Sequence, residues 1–236
     1  MKLRVYLAAV VVAAPLLFGG TAASAAPAPG GFSGDDGGNH PSVGTPRPDK
    51  LAALAALHQA RGGGASTLAT AGSRTLTVVV QQQSTSYYCV PASTRVALSA
   101  FISSLPSQAT LAGKLGTTTS GTTTANAAGV LNSYQSRNYY VYSADSTLTQ
   151  YRDRIQVDIQ NYAAPLVNRT QMQLLPWYAG SLSGNHAIST YGYYYATKVS
   201  QAYVYDPWTD SRAGRKTIYT STLYDAGAAL QHGLVW

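Results

Sequence analysis

One cysteine, Cys89, stands in a chain of 236 residues whose opening has the pattern of an export signal. An exported chain with a single cysteine has no internal disulfide to draw on, so its folded part must hold itself together by burying a core of its own. The export pattern is explicit: Lys2 and Arg4 form a basic start, Val5 to Phe18 are almost wholly apolar, and Ala23-Ser24-Ala25 offers small residues for cleavage. That apolar run falls short of the roughly 20 residues a membrane helix needs, and no other stretch approaches that length. The expectation is a signal peptide over residues 1–25, a mature chain beginning near Ala26, and a secreted product without a stable membrane anchor.

Residues 26–72 are rich in Ala, Pro and Gly and poor in bulky apolar side chains, so they offer little surface to offset the entropy of ordering them. They read as a flexible linker or pro-region. Within them, Asp49 to Ala60 has the Ala and Leu content of a helix, stopped by Gly62-Gly63-Gly64. From Thr75 the composition changes, and residues 75–236 suffice for one domain with a single core.

Thr75 to Val80 alternates like a strand. Three glutamines and a polar loop follow, and Cys89-Val90-Pro91-Ala92 then opens a helix reaching Ile102, with Pro91 in its first turn. Ser107 as a cap and Gly116 as a stop bracket a second helix, and two more are expected at about 124–135 and 147–161. The pattern then turns to strands, at Pro165 to Val167, His186 to Tyr194, Gln201 to Tyr205 and Lys216 to Thr220, before a short helix around Thr222 to Gln231. Helices first and strands afterwards predict an α+β domain in which an opening helix packs on an antiparallel sheet. Tyr191, Tyr193, Tyr194 and Tyr195 read as sheet packing, not as a sugar-binding platform.

Several classes of function are excluded by what is present. All 9 acidic residues are aspartates, which removes the glutamate-dependent helical zinc motif and glutamate-based glycosidase pairs. The four histidines, His40, His58, His186 and His232, are too scattered for metal-ligand spacing, so no metal or other cofactor is implied. Without Lys2 and Arg4, the 16 basic residues become 14 against 9 acidic ones, a net charge of +5. This charge is spread out and has no nucleic-acid motif, so it reads as a solvated surface and not a nucleic-acid partner. Weak attraction to an anionic cell wall or an acidic substrate stays open.

Cys89 is either a small buried apolar residue or a reactive thiol. A cysteine at a helix N-terminus gains stabilisation of its thiolate from unpaired N–H groups and the helix dipole, and the thiolate is the form that attacks a carbonyl. Such a nucleophile needs a base within hydrogen-bond reach and a third group to orient the base. Within the domain only His186 and His232 are available. His186 begins one strand pattern and Asp206 ends another, an even twenty residues apart. A hairpin turning about Ala196 through a loop of five to seven residues would set them directly opposite each other.

Gln83, Cys89-Val90-Pro91-Ala92-Ser93, Leu111-Ala112, Leu115-Gly116-Thr117-Thr118, His186 and Tyr205-Asp206-Pro207 occur in an order that resembles a known family. The chain is similar to the bacteriocin-processing (double-glycine) peptidases and their secreted relatives, the C-thirty-nine-like peptidases, over roughly residues 78–225. The resemblance implies a papain-like fold, Cys89 as nucleophile, His186 as general base and acid, Asp206 as its orienting partner, and Gln83 as an oxyanion donor. In papain-type enzymes the glutamine lies six residues before the cysteine, which selects Gln83 over Gln81 and Gln82. Two positions depart from the pattern: Val90 stands where the family usually has glycine, and Asn185 separates Gly184 from His186.

The expected activity is hydrolysis of a peptide or protein substrate by a secreted cysteine peptidase. A cell-wall (peptidoglycan) amidase using the same cysteine machinery, and an inactive peptide-binding relative, are the alternatives. The Ala/Leu helix running into Gly62-Gly63-Gly64 also loosely resembles a double-glycine leader, which would place self-processing after Gly63 or Gly64, against the plainer reading of a flexible hinge.

Overall fold

The computed structural model describes residues 32–60 and 71–236. The export signal and the Gly62-Gly63-Gly64 stretch lie outside the described residues. The described elements begin with a two-residue strand, Phe32–Ser33 (β1), a helix, Pro48–Ala60 (α1), and a strand, Gly72–Thr75 (β2). Helices Cys89–Leu98 (α2), Gln108–Leu115 (α3) and Asn126–Tyr134 (α4) come next, then Tyr142–Ser143 (β3) and Leu148–Val157 (α5). Strands Leu166–Gln171 (β4), Gly184–Ala196 (β5), Val199–Asp206 (β6) and Gly214–Tyr219 (β7) follow, and Thr220–Ala226 (α6) and Leu234–Val235 (β8) finish the chain.

The expected α+β arrangement of early helices on a late antiparallel sheet is the one observed. The sheet runs β3-β8-β4-β5-β6-β7, with β1 and β2 also pairing to β5, and β1 is its parallel member. Alternate residues of the central strands divide between two apolar clusters. Leu166, Ile188 and Leu234 join Tyr151 and Ile155 of α5, whereas Val167, Ala187 and Val235 join Ala97, Leu98, Leu111 and Leu131 from α2, α3 and α4. This is the period-two pattern of a sheet covered on both faces. Helix α2 is bolted to β5 by Ser93 Oγ donating to the Ala187 carbonyl and Ser189 Oγ donating to the Ser93 carbonyl, both at 3.1 Å.

Local signals account for the helix ends. Ser107 caps α3 by accepting from the Thr110 N–H at 3.0 Å, and Gly116 ends it with φ +69°. Thr147 and Gln150 form a reciprocal capping box on α5, whose expected continuation to 161 is a π-helical turn over Asp158–Tyr162. Thr75 to Val80 is not a strand throughout: β2 ends at Thr75, with one further backbone bond from the Leu76 N–H to the Tyr191 carbonyl at 2.9 Å, although Leu76 and Val78 stay buried while Thr77 and Val79 are exposed. Tyr191, Tyr193 and Tyr195 are buried sheet residues, and Tyr194 faces outward.

The β5–β6 hairpin differs from the expected one in a way that matters for the site. Its turn is two residues, Thr197 and Lys198, not five to seven, because Ala196 already pairs with Val199. A turn that tight would put His186 and Asp206 on opposite faces. The register from Ala196–Val199 to Gly192–Tyr203 shifts by one residue at a bulge, and Thr190–Val204 and Ser189–Tyr205 follow the new register. Since a one-residue slip exchanges the two faces of a strand, the bulge at Tyr191 returns His186 to the face of Asp206. Continuing the register by one residue sets Ile188 opposite Asp206, so His186 is the diagonal neighbour and not the residue directly across.

Candidate active site

Cys89 is the first residue of α2, and the carbonyl of Tyr88 before it accepts the Ala92 N–H at 2.9 Å. Tyr88 supplies no side-chain cap, so the N–H groups of Cys89 and Val90 are left open at the positive end of the helix dipole. Pro91, in the same turn, has no N–H to satisfy. Val90 is fully buried in the apolar cluster with α3 and α4, which is how the chain accommodates a β-branched side chain next to the thiol.

His186 is buried, and its Nε2 lies 2.9 Å from Asp206 Oδ1. The Cys89 thiol is near enough to bias the ring toward its protonated form. Burial alone would push the imidazole down, but the Asp206 carboxylate and then Cys89 outweigh it and raise His186 to about 10. The Asp206 carboxyl is pushed up by burial and pulled down more strongly by His186, the Trp208 N–H and the Trp177 indole, so it is held below its ordinary value.

Asp206 is fixed from several directions. Trp177 Nε1 donates to Oδ2 at 2.7 Å, and Tyr178 OH and the Trp208 N–H donate to Oδ1 at 3.0 and 2.9 Å. Tyr178 and Trp208 also meet the His186 ring edge-on, with centroids 6.1 and 5.8 Å away. These three aromatic residues were not singled out from the sequence. Trp208, two residues after Asp206, was the one local signal available, because an aspartate leaving a strand commonly accepts the N–H two residues on.

Among the three consecutive glutamines, Gln83 is buried while Gln81 and Gln82 are exposed. Its backbone N–H donates to the Pro207 carbonyl at 2.6 Å, tying the loop before α2 to the end of β6. Its side-chain Nε2 donates to the Thr85 carbonyl at 2.8 Å, which leaves one amide hydrogen uncommitted, and its Oε1 is buried with no hydrogen-bond partner among the described residues. His232 is placed elsewhere: it stacks on Tyr224 with ring centroids 3.7 Å apart, and its Nδ1 lies 2.9 Å from the Tyr224 carbonyl. The fold therefore ties His186 to Asp206, sets both near Cys89 at the start of α2, brings Gln83 to the loop before the cysteine, and keeps His232 with α6.

A histidine oriented by a carboxylate beside a helix-terminal thiol can carry acyl transfer. The domain's sequence matches the model of the Peptidase_C39-like family over residues 75–229. The chain belongs to that family. Cysteine-peptidase-type function follows from membership of this family. Two solved structures are also similar. One is a proposed C39-like peptidase from Bacillus anthracis, at 14% identity and TM-score 0.47, covering 68% of this chain and 96% of the other. The second is recombinant stem bromelain precursor, at 11% identity and TM-score 0.49, covering 87% of this chain and 76% of the other. No curated protein matches the chain.

The thiol is covered by the chain's own N-terminal segment. Gly34 N–H donates to the Asn185 carbonyl at 3.2 Å, and a Cβ built on Gly34 would overlap Cys89 Sγ and stand 3.3 Å from Cys89 Cβ. Cys89 accordingly has no exposed surface. Asp35, Asp36 and His40 place ligand-type atoms within 4.8 Å of one another. Both oxygens of Asp35 accept from Arg169, and Asp36 pairs with His40 and Thr123, so the carboxylates of the cluster already have protein partners. Among the described residues, no helix is long and apolar enough to cross a membrane.

Proposed function

We propose that the protein is an exported cysteine peptidase that hydrolyses peptide bonds through Cys89, His186 and Asp206. The observation that supports this best is the buried His186 ring, tied at Nε2 to Asp206 and lying near a thiol at a helix N-terminus. Cys89 Sγ attacks the amide carbon while the carbonyl oxygen takes up negative charge, accepting from the free Gln83 amide hydrogen and the Cys89 backbone N–H. His186 gives its proton to the departing amine as the C–N bond breaks, leaving an acyl thioester. Water then attacks that thioester, His186 takes the water's proton, and the acid product leaves as the thiolate is restored. Removing one oxyanion donor costs about 3–4 kcal/mol in barrier, so Gln83→Ala should reduce turnover by roughly two to three orders of magnitude.

Hydrolysis of a denatured protein substrate, read by mass spectrometry of the fragments, tests the reading. Use of the full chain and of a Gly34→Val form, whose side chain cannot share the space of the thiol, covers both states of the cleft. Cleavage that disappears with Cys89→Ala supports the proposal, and cleavage that survives Cys89→Ala overturns it. Export is read separately: a secreted form beginning near Ala26 supports the signal peptide, and an intact Met1 to Phe18 segment contradicts it.

A further inference from the structure

Arg169 is a guanidinium with 1% of its surface exposed, in the middle of the central strand β4. A cation so deeply placed demands an anion, since an unpaired buried charge costs several kcal/mol on the scale of breaking a buried ion pair. Its anion comes from outside the peptidase domain. Asp35 meets it in a two-pronged pair, Nη2 to Oδ1 at 2.6 Å and Nε to Oδ2 at 3.0 Å. Thr124 Oγ1 donates to the same carboxylate, and Tyr142 OH accepts from Arg169 Nη1 at 3.0 Å. Arg169, Thr124 and Tyr142 all belong to the domain, so the cradle is complete once Asp35 is taken away, and it then holds a net positive charge with planar, two-pronged geometry matched to a carboxylate.

The position of this cradle is fixed relative to the thiol by a single residue of chain. Gly34 lies on Cys89, and Asp35 is the next residue. The strand is held as a peptide is held: β1 pairs with Gly184–Asn185 just before His186, the Thr122 N–H donates to the Gly34 carbonyl at 3.2 Å, and the Asp36 N–H donates to the Thr122 carbonyl at 3.1 Å. Main-chain bonds of this kind are sequence-blind, and specificity then comes from the pockets that take alternate side chains. Only glycine fits over the thiol, and only an acid balances Arg169.

We propose that Arg169, Thr124 and Tyr142 form an acidic-side-chain subsite beside Cys89, which the chain's own Asp35 fills, so that residues 32–60 act as an inhibitory pro-region and the peptides processed carry an aspartate adjacent to a glycine. The processing of such peptides rests on the cysteine-peptidase reading, whereas the subsite itself does not. The rest of the segment is docked by the Lys50 Nζ–Asp158 Oδ1 ion pair at 2.8 Å and by His58 Nε2 meeting Asp153 Oδ2 at 2.8 Å, so the occupant is tethered at three points and not by its cleft strand alone. The buried Lys50–Asp158 pair also lies against Trp236, with Nζ 4.6 Å from the ring centroid.

The test uses the full chain carrying Gly34→Val and a peptide copying residues 33–38, Ser-Gly-Asp-Asp-Gly-Gly, beside a copy with Asn in place of the first Asp. Alkylation of Cys89 should be at least about tenfold faster in Gly34→Val than in the wild-type chain, and the Asp peptide should protect the thiol about tenfold better than the Asn peptide, a factor of ten corresponding to 1.4 kcal/mol. Substrates that differ only in this Asp should be cleaved with the same preference, and Arg169→Gln in the Gly34→Val chain should abolish it. If Arg169→Gln does not fold, Asp35→Asn in the wild-type chain replaces it, and faster alkylation of Cys89 is expected there. Protection by the Asp peptide without cleavage of any substrate would uphold the subsite and overturn the peptidase reading. Equal protection by the two peptides, or no gain in alkylation from Gly34→Val, would overturn the subsite.

Discussion

His186 meets Asp206 diagonally across β5 and β6, at 2.9 Å, because a bulge at Tyr191 shifts the hairpin by one residue between its turn and its open end. Without the bulge, the two-residue turn at Thr197-Lys198 would aim the imidazole and the carboxylate at opposite faces of the sheet. Gly192, which follows the bulge, is hemmed in by Tyr203 Cδ2 at 2.8 Å and the Arg74 carbonyl oxygen at 2.9 Å from the position a Cβ would take. Gly192→Ala is therefore expected to destabilise the fold by about 1–3 kcal/mol and to weaken the His186–Asp206 contact. Urea unfolding and activity, measured together, check this, and an unchanged midpoint would contradict it.

The ion pair sets the pH range over which the site holds together. His186 is raised to about 10 in the fold, above its unfolded value of about 6.5, so its contribution is complete below about pH 6.5 and is lost as pH rises through about 10. Asp206 is lowered, so its contribution is present above the unfolded value of about 3.9 and disappears as pH falls through its own lowered value. Unfolding midpoints should fall on both sides of a plateau, and Asp206→Asn should remove most of the alkaline fall. An alkaline limb that Asp206→Asn leaves unchanged would show that another group causes it.

The buried pair between Lys50 and Asp158 should be costly to break from one side. Burial pulls Lys50 down and pushes Asp158 up, each opposing the attraction between them. Lys50→Met leaves a buried carboxylate with the Asn138 amide as its hydrogen-bond donor among the described residues, at a cost of about 3–5 kcal/mol, whereas Lys50→Met with Asp158→Asn should recover much of that. Denaturant midpoints for the two variants give the comparison, and equal losses would contradict it.

The capping box at α5 carries a smaller, local expectation. Thr147 accepts from the Gln150 N–H at 3.3 Å, and Gln150 Oε1 accepts from the Thr147 N–H at 2.9 Å. Thr147→Ala should cost about 1 kcal/mol with no change in the chemistry at Cys89. A combined measurement of melting temperature and Cys89 alkylation separates the two effects.

Much of this architecture was legible in the residues because its signals are local. Ser107 and Gly116 mark helix ends by hydrogen bonds made within a turn, and the order of helices and strands predicted the helix-on-sheet layout. The bulge at Tyr191 was not legible, since the backbone shift depends on β2 and β6 flanking Gly192 from either side. Arg169 was not legible either. A basic residue in a strand reads as a solvated face until its partner, Asp35, is known to lie 134 positions away in a segment of loop-like composition. The same long-range contact reconciles the two readings of Cys89, which is both fully buried and placed for chemistry, because the burial comes from Gly34 and not from the core alone.

The central claim, that His186 and Asp206 activate Cys89, is tested most directly by the rate of Cys89 alkylation by iodoacetamide at about pH 6 in the Gly34→Val chain, where an unactivated thiol reacts slowly. His186→Ala should slow the reaction by about tenfold or more, Asp206→Ala should slow it in the same direction, and His232→Ala should leave it unchanged. Control by His232 instead of His186, or a thiol that reacts only once the chain is unfolded, would contradict the claim.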